Sequence, residues 1–202
     1  MASDQKDFSG TMPVQDKHRF DEAALADYLA SQIDDFQTPL TVEQFKGGQS
    51  NPTYRLVTPN RHYVLRRKPP GDLLPSAHAV DREYRVITAL ADTDVPVARS
   101  YCLCEDTSVI GTAFYVMDCI DGRVMWDPTL PGHDPADRAS IFDAMNATIA
   151  ALHTVDVNAV GLSDYGKPGN YFERQIARWS KQYRASETET IAAMDKLIDW
   201  LP

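Results

Sequence analysis

Two glycines and three small polar residues, Gly47-Gly48-Gln49-Ser50-Asn51, lie ahead of two adjacent arginines, Arg66 and Arg67, and a later carboxylate, Glu83. Glycine has no Cβ, so the backbone at Gly47-Gly48 can turn tightly and come close to a ligand, and Gln49, Ser50 and Asn51 add short hydrogen-bonding side chains. Such a loop can wrap an anion. Either Arg66 or Arg67 could direct a fixed positive charge at whatever the loop holds. Glu83 sits beside an apolar helical stripe, where an unpaired charge is costly, and Arg66 is its candidate partner. An ordinary surface hairpin with a Gly-Gly bend has the same local pattern, so the loop alone does not decide.

The positioning elements follow from periodicity. After Pro52, Thr53 to Thr58 alternates, with Tyr54 and Leu56 on one face; Pro59-Asn60 marks a turn, and Arg61 to Arg67 alternates again. This predicts a hairpin whose second strand delivers the arginines. Leu40 to Phe45 reads as a strand entering the glycine loop, and Ser100–Leu103 with Thr112–Met117 as a second hairpin around the polar turn Glu105 to Ser108. A sheet of about five strands results. Residues 1 to 19 lack periodicity and read as a loose leader. A first helix capped by Asp21 carries Leu25, Tyr28, Leu29 and Ile33. A second, from about Ala79 to Ala91, carries Val80, Tyr84, Ile87 and Leu90. Past Gly122 the pattern is helical: Asp137 to Thr154, with Ile141, Met145, Ile149 and Leu152 on its buried side, then Tyr171 to Arg184, then a helix opened by the capping box Ser186-Glu187-Thr188-Glu189.

The 202 residues, 43% of them hydrophobic, suffice for one substantial domain or two lobes. Twenty basic against twenty-nine acidic residues give a net charge of -9, which disfavours nucleic-acid and anionic-membrane binding. Neither a secretory layout nor a membrane-length apolar run is present, so a cytoplasmic protein is expected. Cys102, Cys104 and Cys119 form no CxxC pair or zinc set and are expected to be reduced, with Cys102 and Cys104 on one side of a strand.

In order along the chain, Gly-Gly-Gln-Ser-Asn-Pro-Thr-Tyr (47–54), Tyr-Val-Leu-Arg-Arg-Lys-Pro-Pro-Gly (63–71), Arg-Glu-Tyr-Arg-Val (82–86), Phe-Tyr-Val-Met-Asp (114–118), Leu-His (152–153), Val-Gly-Leu (160–162) and Arg-Gln-Ile-Ala-Arg-Trp (174–179) resemble the aminoglycoside phosphotransferase family. The likeness is strongest to the subgroup related to the domain preceding the dehydrogenase in some acyl-CoA dehydrogenase family proteins. It implies an α+β, protein-kinase-like fold: an antiparallel-sheet lobe with one main helix over residues 20–118, a hinge at 119–122, and the first helices of a helical lobe over 123–202. By resemblance, Gly47 to Asn51 cover a nucleotide, Arg66 takes the place of the strand lysine on the ATP phosphates, and Glu83 pairs with it. Met117 then resembles the gatekeeper, and the backbone of Asp118, Cys119 and Ile120 the hinge that binds adenine.

The resemblance also implies magnesium and a His-Gly-Asp catalytic loop, and this sequence has no His-Gly-Asp. His133-Asp134 and His153-Thr154-Val155-Asp156 lack its glycine and strand context. Ile198-Asp199-Trp200 imitates a metal motif, but the stripe Met194, Leu197, Ile198, Leu201 makes Asp199 an exposed helical position. No catalytic residue or metal ligand is therefore assigned. The expectation is an ATP-dependent phosphotransferase of small-molecule hydroxyls represented by its nucleotide side, or else a non-catalytic nucleotide-binding module. Exposed apolar helices are expected, covered by a second copy or by further chain.

Overall fold

The computed structural model describes residues 9–47, 51–71, 78–125, 127–166 and 169–201. Among these residues, β1 (Thr11–Met12), β2 (Thr41–Phe45), β3 (Thr53–Val57), β4 (His62–Arg67), β5 (Ser100–Cys104) and β6 (Phe114–Asp118) form one sheet in the order β1-β2-β3-β4-β6-β5. Every neighbouring pair is antiparallel. Four α-helices and one 3-10 turn (Asp16–His18) accompany the sheet in the first of two compact units, Met1–Val160: α1 (Glu22–Gln32), α2 (Val80–Leu90), α3 (Thr107–Ile110) and α4 (Pro135–His153). The second unit, Gly161–Pro202, holds α5 (Tyr171–Ser186) and α6 (Ala192–Trp200).

Strand alternation sorts the core into two clusters. Tyr54, Leu56, Tyr63, Leu65, Phe114 and Val116 join Leu25, Leu29 and Ile33 of the α1 segment in one. Val80 with Tyr84 and Ile87 of α2 meets Ala113, Tyr115, Leu103 and Met117 in the other. Asp21 caps α1 as expected, its carboxylate accepting from the N–H groups of Ala23 and Ala24 at 3.0 and 2.9 Å. Cys102 and Cys104 are both buried in the first cluster, and burial pushes the Cys102 thiol up to about 12. It is a packed thiol, protonated at neutral pH.

The structure departs from the sequence reading at several places. The sheet has a sixth strand, because Thr11–Met12 of the expected loose leader pairs with Phe45 and Gln44. The polar turn at 105–108 contains α3, with the Asp106 carboxylate accepting from Ser108 N–H at 2.9 Å and Gly111, at φ 86°, ending it. Helix α4 starts at Pro135, two residues before the expected Asp137, because Asp134 is its cap. The capping box does not form. Ser186 ends α5 instead, its hydroxyl donating back to the carbonyls of Gln182 and Tyr183 at 2.9 and 3.2 Å, while Glu187 pairs with Arg184 at 3.3 Å. A serine that bonds backward to its own helix cannot cap the next one.

The α4 stripe expected to be buried is half open, with Met145 53%, Ile149 49% and Leu152 46% exposed. Phe172, Trp179 and Trp200 in the second unit are more exposed still. Asp199 is an exposed position of α6, as expected. Among the described residues, no helix is long and apolar enough to cross a membrane.

Candidate functional site

Arg66 and Glu83 meet. On β4, alternation turns Tyr63 and Leu65 into the α1 cluster and leaves Arg66 on the α2 side. There the guanidinium donates from Nε to Glu83 Oε2 at 2.7 Å and from Nη2 to Oε1 at 3.2 Å, and from Nη1 to Thr53 Oγ1 at 3.3 Å. This is the two-pronged carboxylate contact that arginine's planar fork favours and a lysine could not reproduce.

Glu83 accepts from two further groups. Asn51 Nδ2 donates to Oε1 at 3.0 Å and the Tyr115 hydroxyl to Oε2 at 3.1 Å. Burial alone would push the Glu83 carboxyl up, but the hydrogen bonds and charge of Arg66, helped by Tyr115 and Asn51, outweigh it and hold the group below its ordinary range. The Glu83 hydrogen bond raises Arg66, against the opposing effect of burial. Tyr115 is pushed up, first by burial and then by the Glu83 charge, so it stays a donor. Asn51 is 3% exposed, and its Oδ1 lies 2.7 Å from Nδ1 of His78. Four elements therefore converge on one carboxylate: the end of the glycine loop, β4, β6 and α2.

The sequence left Arg66 and Arg67 open as alternatives, and the structure separates them. Arg67 lies on the other face, 3% exposed, with its guanidinium 5.3 Å from the centre of the Phe20 ring. Among the described residues its Nη1 is buried without a hydrogen-bond partner, and burial lowers the guanidinium's pKa. Of the loop residues, Gly47 and Asn51 are described, while Gly48, Gln49 and Ser50 lie outside the described residues. At the hinge, Met117 pairs with Val64 across β4 and β6. The Asp118 N–H is already donated to the Arg99 carbonyl at 2.8 Å, and its carboxylate accepts from the Tyr101 hydroxyl at 2.5 Å. Beyond it, Cys119 is half-buried and Ile120 is 69% exposed.

Sequence reasoning missed three contributors. Tyr115 was legible in principle, since it shares strand parity with Met117. Thr53 and His78 were not, because nothing in a lone threonine at a strand start or a histidine in a connector marks a contact. Among the described residues, no group of three or more His, Cys, Asp or Glu side chains is placed to hold a metal ion.

The chain as a whole is similar to known proteins. Acyl-CoA dehydrogenase family member 10 of Mus musculus is 47% identical over 193 residues, covering 95% of this chain and 18% of that protein. Acyl-CoA dehydrogenase family member 11 of Homo sapiens is 41% identical over 204 residues, 99% of this chain and 26% of its own. A crystal structure from Ralstonia eutropha JMP134 that carries an aminoglycoside phosphotransferase name superposes with a TM-score of 0.80 at 60% identity, over 91% of this chain and 53% of that one. The chain thus spans about a fifth to a quarter of those two relatives and about half of the solved structure. The fold is the α+β, protein-kinase-like one that the resemblance implied. Residues 41–202 match the model of the phosphotransferase enzyme family, a span that takes in the glycine loop, Arg66, Glu83 and the helices after the sheet, and the chain belongs to that family.

Proposed function

We propose that this chain forms the nucleotide side of an ATP-dependent phosphotransferase that acts on a hydroxyl group of a small molecule. The observation that carries the reading is the Arg66–Glu83 pair. Among the described residues, three of the five N–H groups of the guanidinium are taken by Glu83 and Thr53, which leaves two, held in a fixed plane, for phosphate oxygens. Glu83 fixes where they point, so the charge is set before a ligand arrives. ATP would supply the transferable phosphoryl group. Arg66 would hold its phosphate oxygens, Gly47 to Asn51 would cover them, and Met117 to Ile120 would flank the base. Magnesium finds no cluster of ligands among the described residues, so no step is assigned to it. A cytoplasmic setting suits this reading.

The test is thermal stabilisation by MgATP. A site at Arg66 predicts a rise in melting temperature that grows with nucleotide concentration in the wild type and vanishes in Arg66→Ala. No shift at millimolar nucleotide would sink the reading. A second reading, a nucleotide-binding module without catalysis, predicts the same melting shift with no phosphate transferred to any hydroxyl acceptor.

A further inference from the structure

Both ends of the Asn51 amide are committed. Its Nδ2 faces Glu83 Oε1 at 3.0 Å, and a carboxylate demands a donor, so Oδ1 is the end facing His78 Nδ1 at 2.7 Å. In this arrangement Nδ1 carries the proton. A relay runs from His78 through Asn51 to Glu83 and on to Arg66, and Asn51, at 3% exposed, has almost no solvent to replace a lost partner. The Asn51 carbonyl also accepts from the Thr53 hydroxyl at 3.0 Å, fixing the backbone where the glycine loop enters β3. His78 itself has φ 58°, a left-handed conformation that is uncommon for histidine and held here just before α2.

We propose that His78 is a positioning residue: through Asn51, the last residue of the glycine segment, it latches the start of β3 to the Glu83–Arg66 pair, so that the guanidinium is held ready for a phosphate group. It rests on the nucleotide reading above. His78 touches Asn51, not the phosphate. Its removal would free the Asn51 amide to rotate away from Glu83 and loosen both the backbone at Asn51 and the carboxylate.

The experiment uses two replacements that both tolerate a positive φ, so that backbone strain is not the variable. His78→Asn keeps a short side-chain donor near the place of Nδ1, and His78→Gly removes it. MgATP affinity is measured by calorimetry and loop protection by hydrogen exchange over residues 47–53, in the full chain. We expect His78→Gly to weaken MgATP about tenfold, the size of one lost hydrogen bond, and to speed loop exchange, and His78→Asn to stay within about twofold of wild type. Combining His78→Gly with Asn51→Ala should add little to Asn51→Ala alone, because one acts through the other. Unchanged affinity in His78→Gly, no advantage of His78→Asn over it, or additive losses in the double variant would each overturn the latch. If the wild type binds no MgATP, the nucleotide reading falls. Exchange then still decides, since an unchanged loop in His78→Gly overturns the latch and a loosened one supports it.

Discussion

Glu83 accepts four hydrogen bonds from three different side chains, and its charge state is therefore tied to folding. Its carboxyl is held below the ordinary value of 4.5, so the unfolded chain binds the proton more readily than the folded one. The stability it contributes is complete above about pH 4.5 and is lost as pH falls through the lower folded value. Urea midpoints followed from about pH 6 to about pH 3 should fall more steeply in wild type than in Glu83→Gln, whose amide cannot titrate; parallel curves would contradict this. Arg67 presents the reverse case, a buried guanidinium with an unpartnered nitrogen. Replacing buried ion pairs by apolar side chains of similar volume is often neutral or stabilising, by about 1–4 kcal/mol, because the desolvation cost leaves with the charge, and Arg67 carries the same cost. Arg67→Met should leave the unfolding free energy unchanged or higher; a loss beyond about 1 kcal/mol would show that the ring contact with Phe20 outweighs the burial cost. The pairing of Arg66 with Glu83 was readable because a carboxylate beside an apolar stripe requires a cation. Arg66 was the candidate named for it, and strand phase puts that arginine and not Arg67 beside α2, whereas the histidine behind Asn51 had no sequence signal at all.

At the scale of elements, legibility followed the strength of the periodic signal. The α1 stripe, with Leu25 and Leu29 fully buried, and the β3–β4 hairpin, in which Tyr54 faces Leu65 and Leu56 faces Tyr63, lie where alternation and helical spacing put them. Short elements were lost. Thr11–Met12 is too brief to show alternation, and it is a strand only because β2 offers an open edge. Helix α3 is a single turn held by its Asp106 cap inside a stretch that reads equally well as a turn. At Ser186 the local motif was real but ambiguous: a serine followed by Glu189 can cap forward or bond backward, and tertiary pairing of Arg184 with Glu187 and Asp195 selects the second. The second hairpin was paired correctly, while the insertion of β6 between β4 and β5 is a long-range choice that periodicity does not encode.

The whole molecule has two kinds of surface. The first unit buries its aromatic residues on both faces of the sheet, while α4 and the helices of the second unit leave large apolar side chains in the open. The difference was anticipated from the family likeness, not from the stripes themselves, which look alike whether covered or bare. The amino-terminal stretch belongs with the well-covered part. Thr11 Oγ1 donates to Glu43 at 2.7 Å, Gln15 N–H to the Gln44 side chain at 3.1 Å, and the Tyr54 hydroxyl to the His18 carbonyl at 3.1 Å. A chain begun at Phe20 would lose these contacts and lay bare one margin of β2. Strand margins of that kind recruit other strands, so trimming what looks like an idle leader should increase self-association, visible as light scattering that grows more steeply with concentration than in the full chain.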